Sequence, residues 1–189
     1  MKPGGGRNKG SAFERKVAAL VVGAFKDFGI TSKDAYRTPL SGGHIHASKT
    51  DPGDLVISPR LRKLFPFHCE CKAHATVNLA QFLVPVKAWK KSWKCKVWLA
   101  QMAAAAEKQE DEWLIPLLVF KENNGETMAA FPVGIGMGFG AEVFPQRLQF
   151  VYRNTDWIIV RFSKFLRKLG LVHDSPSFVL RSSNRRREA

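Results

Sequence analysis

Two short segments carry the residues best able to do chemistry: Pro52-Gly53-Asp54 and, sixteen residues after that aspartate, Glu70-Cys71-Lys72. Side chains alternate along a strand, so Glu70 and Lys72 would share one face while Cys69 and Cys71 take the other. If a second strand starts at Asp54 and runs beside the first, two carboxylates and an ammonium meet on one surface. Carboxylates that close resist ionising together. A hard divalent cation relieves the repulsion, because Mg2+ favours carboxylate and carbonyl oxygen and keeps waters that phosphate can replace. The ammonium could then orient or deprotonate a water and offset charge building on a phosphoryl group. A plainer reading also fits: a same-face Glu70–Lys72 ion pair on an exposed strand, worth about 0–1 kcal/mol.

These groups must be positioned by elements that are themselves visible in the pattern. Phe13, Val17, Leu20, Val21, Ala24, Phe25 and Phe28 recur at i, i+3 and i+4 and predict an amphipathic helix from Ser11, ended by Gly29. Ser11 with Glu14 three residues on fits a capping box. Ala35–Thr38 is a short strand candidate, followed by a loop over 39–53 with three Gly, two His and two Pro. Asp54–Ser58 and Phe67–Lys72 read as strands that can pair as an antiparallel ribbon. Residues 79–93 mix apolar and basic types, with Trp89 and Trp93 at helical spacing. A helix follows from Val97 to about Gln109. Leu117–Lys121 and Thr127–Phe131 read as strands around an Asn123-Asn124-Gly125 turn. Trp157–Phe162 reads as another strand, and Ser163–Leu169 as a short basic helix ended by Gly170. This order predicts an α/β fold with a mixed central sheet flanked by helices.

Composition narrows the partners. The 189 residues hold 30 Lys+Arg against 16 Asp+Glu, a formal charge of +14, and 45% are apolar, including 14 Phe, 5 Trp and 2 Tyr. Such a chain can bury a core, is no acidic solvating protein, and has a polyanion as its leading partner. Its longest apolar runs, such as Ile115–Phe120, fall far short of the ~20 residues a membrane span needs. The start, MKPGGGRNKG, is basic but has no apolar signal-peptide core after it. Three Cys, two of them separated by one residue, suit a reduced interior, so the expected location is cytoplasmic with no membrane partner. Residues 1–10 read as a flexible basic arm, 11–175 as one domain and 176–189 as a basic tail.

Taken in order, Phe13-Glu14-Arg15, Arg37, Ser41-Gly42, Pro52-Gly53-Asp54 and Glu70-Cys71-Lys72 resemble the PD-(D/E)XK nuclease superfamily. Within it the order and flanks are most similar to archaeal-type Holliday junction resolvases and their viral relatives, over roughly residues 11–132. The resemblance implies a restriction-endonuclease-like core and a Mg2+-dependent endodeoxyribonuclease, with Mn2+ able to substitute. It implies a homodimer that resolves four-way junctions by paired cuts. Asp54 and Glu70 would ligate the metal with the main-chain carbonyl of Cys71, and Lys72 would be the catalytic lysine. Glu14 would reach the metal region through water, in rivalry with its capping-box reading. Arg15 and Arg37 would lie near substrate phosphates, and Ser41 would touch DNA. Gln101 is similar to a Gln that some members place beside the active site, though it also fits an ordinary helix surface. Lys87, Lys90 and Lys91 add basic surface for backbone phosphates. A Lys/Trp-rich insertion around 73–96 and an extension after about 140 lie outside the compact family core. The alternatives are a superfamily nuclease acting on flaps, ends or linear DNA, and a catalytically silent DNA-binding protein of the same fold.

Three further patterns stay open. His44, His46, His68, Cys69 and Cys71 offer zinc-ligand types without standard zinc spacing, and buried Cys behaves as a small hydrophobe. Gly134–Gly140 fits a dinucleotide-binding loop or a plain flexible one. Trp89 and Trp93 among lysines can stack on exposed bases, pack a dimer or fill a core.

Overall fold

The computed structural model describes residues 5–39, 53–83, 88, 90, 93–107, 114–133 and 144–173. Its first helix, α1 (Gly5–Ala24), buries Phe13, Val17, Ala18 and Val21 along one stripe. It starts six residues before Ser11 and so takes in much of the stretch expected as a flexible arm. Once the apolar stripe has docked, lengthening a helix needs only propagation and no new nucleus. Ser11 is therefore internal, and the expected capping box does not form. A 3-10 turn over Lys26–Phe28 ends at Gly29, whose φ of 72° is the left-handed conformation glycine adopts freely.

Strands β1 (Ala35–Arg37) and β2 (Leu55–Ile57) pair antiparallel, with Tyr36 opposite Val56. Ser58 then caps α2 (Pro59–Arg62): its hydroxyl accepts from Leu61 N–H at 3.2 Å and donates to Asp34 Oδ1 at 2.7 Å. That link ties the end of β2 to the start of β1. Strand β3 (Phe67–His74) does not form the expected ribbon with β2. It pairs parallel with β4 (Ile115–Glu122), Phe67 opposite Ile115 and Lys72 opposite Phe120. Parallel pairing needs a long crossover. Here the crossover holds α3 (Ala80–Leu83) and α4 (Lys94–Glu107), the latter beginning three residues before the expected Val97. Strand β5 (Thr127–Pro132) follows β4 antiparallel.

The C-terminal part adds β6 (Leu148–Tyr152), β7 (Thr155–Arg161) and α5 (Phe162–His173), and the five-stranded order is β3-β4-β5-β7-β6. Strand β6 has no counterpart in the sequence reading. It turns into β7 through Arg153 and Asn154, both at positive φ (50° and 58°), the conformation that two-residue hairpins favour but more usually signal with Asn-Gly. Gly170 does not end α5. It lies inside the helix, where the position of a Cβ would be 3.7 Å from the Ala24 carbonyl, an ordinary contact at the place where α5 packs on α1.

The sheet has two covered faces. Towards α1 and α5 lie Phe25, Phe67, Cys69, Cys71, Phe131 and Phe165. Towards α3 and α4 lie Phe82, Trp98, Leu118, Phe120, Phe150 and Trp157. The expected mixed sheet flanked by helices is thus observed, and the segment after residue 140 is part of it. Among the described residues, no helix is long and apolar enough to cross a membrane.

Candidate active site

Asp54 is clamped by backbone on both sides. Its N–H donates to the Cys69 carbonyl and its own carbonyl accepts from Thr38 N–H, both at 2.9 Å. Its Oδ2 accepts from Cys71 N–H at 2.7 Å. The clamp demands glycine just before it: a Cβ on Gly53 would stand 2.8 Å from the Cys69 carbonyl oxygen, closer than two such atoms can approach. Thr38, buried, donates its hydroxyl to the Gly53 carbonyl at 2.7 Å and completes the approach of β1, β2 and β3. Sequence reasoning missed Thr38; its only signal is its place after Arg37.

Strand alternation sets the rest. Glu70 and Lys72 stand on the face shared with Leu118 and Phe120, and Cys69 and Cys71 on the α1 face, as the period of two predicts. Lys72 Nζ lies 2.5 Å from Glu70 Oε1, with both side chains half-buried. The plain ion pair is therefore present, and beside it sits a second half-buried carboxylate, Asp54. From α1, Glu14 enters as a buried residue whose Oε2 accepts from Arg37 Nε at 2.5 Å. Glu14 is thus bound to β1, and Arg37 joins the site through it.

The electrostatics follow. Burial first, and then the Glu70 charge, push the Asp54 carboxyl up to about 7; Glu14 adds to this, while Cys71 N–H and Lys72 oppose it. Burial also raises the Cys69 and Cys71 thiols well above the ordinary range, which makes them packing groups rather than thiolates. All three cysteines are free and buried. Of the zinc-type residues, His44 and His46 lie outside the described residues. His68 is buried, with burial pushing its pKa down, and its Nε2 has no hydrogen-bond partner among the described residues.

Among the described residues, no group of three or more His, Cys, Asp or Glu side chains is arranged to hold a metal ion. The donor chemistry at Asp54 and Glu70 still fits Mg2+, which commonly takes one or two protein carboxylates and fills its shell with water and phosphate. The raised Asp54 carboxyl marks a repulsion that a cation would relieve. The other expected contacts are dispersed. Arg15 is exposed on α1, Lys90 is exposed between α3 and α4, and Gln101 is exposed on α4. Ser41, Lys87 and Lys91 fall outside the described residues, as do Trp89 and Gly134–Gly140.

A mixed sheet flanked by helices, with an aspartate, a glutamate and a lysine converging at the β3 edge, is the arrangement of a PD-(D/E)XK nuclease. The chain belongs to the family described as "Phage putative PDDEXK endonuclease", whose sequence profile matches residues 5–169. That span runs through β6, β7 and the first two thirds of α5, so the family's unit takes in the 73–96 insertion and the extension as far as residue 169. No curated protein and no solved structure matches the chain.

Proposed function

We propose that this chain is a metal-dependent, structure-selective endodeoxyribonuclease that resolves four-way DNA junctions by paired phosphodiester hydrolysis. The observation that carries the reading is the convergence of Asp54, Glu70 and Lys72, with Asp54 half-buried among carboxylates. Asp54, Glu70 and the Cys71 carbonyl would hold Mg2+, or Mn2+ in its place, which when bound offsets phosphate charge and acidifies water. Lys72, held beside Glu70, orients the attacking water and counters the charge that builds on the phosphate oxygens. Water adds to phosphorus as the bond to the leaving 3′ oxygen breaks, giving 5′-phosphate and 3′-hydroxyl ends. Arg37 keeps Glu14 turned towards the sheet, and exposed Arg15 and Lys90 supply phosphate contacts that carry no sequence information.

The excess of cationic residues supports a nucleic-acid substrate. A junction needs two symmetric cuts, which a twofold homodimer would supply. The test is cleavage of matched four-way, flap, single-stranded and linear duplex DNAs with Mg2+, alongside sedimentation of the protein. The expected result is a dimer that cuts two opposed strands symmetrically near the crossover and cleaves linear duplex far more slowly. Equal rates on junction and duplex, with unpaired nicks from a monomer, would overturn junction resolution and leave a general endonuclease.

A further inference from the structure

Beside the catalytic face lies an open cleft of about 170 Å3 that the hydrolysis does not use. Trp93, Lys94 and Trp98 of α4 and its approach form one side; Asn78, Gln81 and Phe82 around α3 form the other. It joins the active site through β3. His74 shares its strand face with Glu70 and Lys72, and Lys94 Nζ reaches both His74 ring nitrogens, at 2.9 and 2.7 Å. The His74 and Trp98 rings are 6.5 Å apart. Two residues along a strand cover about 7 Å, equal to about two base steps of B-DNA. The cleft thus begins within a nucleotide or two of the place where a phosphate would meet Lys72.

The lining has the chemistry of a base receptor. Trp93 offers a half-buried indole, with the buried Trp98 and Phe82 rings as apolar support behind it, and base–aromatic stacking tolerates any base. Both carboxamides have their oxygens engaged: Asn78 Oδ1 accepts from Ala80 N–H at 3.0 Å, and Gln81 Oε1 accepts from the Cys95 thiol at 3.6 Å. Their NH2 groups stand outside those bonds and can donate to the carbonyls of a pyrimidine. An apolar cavity of about 150 Å3 admits benzene, so this volume matches a single six-membered ring. Lys94 at the rim suits the phosphate that must accompany the base.

We propose that this cleft receives one unpaired nucleobase, a pyrimidine by size, next to the scissile phosphate. The proposal rests on the nuclease reading and deepens it. A branch point is where a nucleotide can leave its stack, so occupancy of the cleft would favour branched or bulged DNA over paired duplex. Base extrusion costs least where the base is already unpaired.

The test measures binding of the full chain, without Mg2+, to three DNAs of equal length: paired duplex, a duplex with one unpaired thymidine, and a duplex with an abasic site in that position. The readout is the affinity ratio of the thymidine bulge to the abasic bulge, in which general phosphate attraction cancels. About tenfold or more is expected for the wild type, the size that stacking one base produces. Trp93→Ala should bring the ratio close to 1. Gln81→Glu keeps the acceptor for Cys95 and removes the donor, and Asn78→Asp likewise keeps its cap on α3; both should lower the ratio while the circular dichroism stays native. A wild-type ratio near 1, or an unchanged ratio in all three variants, overturns the proposal. Cleavage of the three DNAs and of a four-way junction with Mg2+ is measured in parallel. Cleavage with a ratio of 1 rejects the cleft and keeps the nuclease, whereas a high ratio without cleavage of any DNA does the reverse.

Discussion

Asp54 is held where its charge is poorly favoured, half-buried and facing Glu70 and Glu14. Its carboxyl loses its proton at about 7 in the folded chain against 3.8 ordinarily, so between those values the folded state holds a proton that the unfolded state has released. Metal-free stability should therefore fall as pH rises from about 4 to about 7 and level off above. Asp54→Asn removes that cost. In thermal unfolding the variant should match the wild type near pH 4 and exceed it at pH 8, by at most about 4 kcal/mol at 1.36 kcal/mol per pH unit. Mg2+ should raise the wild-type Tm at pH 8 and leave the variant's unchanged, and the variant should not cleave. Equal melting of the two at pH 8 would contradict the burial of this charge. Lys72 separates from the ligands in a different measurement. Lys72→Ala should keep the Mg2+-induced rise in Tm yet lose about 100-fold or more in single-turnover cleavage, since its interaction belongs to the transition state.

At the scale of elements, the site depends on how closely three strands approach. The bond between Asp54 N–H and the Cys69 carbonyl joins the start of β2 to the middle of β3, and Gly53 is what permits it. Gly53→Ala puts a methyl against backbone rather than against a side-chain end that could swing away. The strands must separate, carrying Asp54 from Glu70 and Lys72. A shift of order 1 Å in a catalytic group costs about 100-fold in rate, whereas a local overpacking costs about 1–3 kcal/mol in stability. The expected outcome is a folded variant, native by circular dichroism and somewhat lower in Tm, whose cleavage has fallen about 100-fold. Wild-type cleavage in this variant would mean that the contact does not set the position of Asp54.

At the scale of the molecule, the segment after residue 140 completes the core. Strand β7 lies between β5 and β6, and α5 fills the face beside α1. Phe165 is fully buried, with its ring centroid 4.6 Å from Phe131 and 5.2 Å from Phe67, so α5 is packed directly over β3 and β5. Phe165→Ala should cost about 3–5 kcal/mol, as large-to-small aromatic changes in a core do. Denaturant unfolding measures it. A loss below 1 kcal/mol would show that α5 is peripheral and that the catalytic sheet stands without it.

Local pattern alone determined a good part of this protein. The stripe in α1, the β4–β5 hairpin around Asn123-Asn124-Gly125, the two-faced character of β3 and the charge excess all follow from residue type and spacing within one element. So did the chemistry of Asp54, Glu70 and Lys72, because what a carboxylate or an ammonium can do is set by its own groups. Partner choice was different. Whether Phe67–Lys72 pairs with the strand before it or with one beyond a long crossover depends on which faces can be buried together, and only packing against α1 and α4 decides that. Strand β6 was hidden because Arg153-Asn154 is an unadvertised tight turn, and Gly170 lies within a helix whose Phe165, Leu166 and Leu169 are buried in the core. Thr38, the Glu14–Arg37 pair and the joining of His74 to Lys94 are contacts between residues 15 to 23 positions apart. No local periodicity encodes such contacts. They exist because several elements converge on one edge of a twisted sheet, and the tertiary structure alone decides where that edge falls.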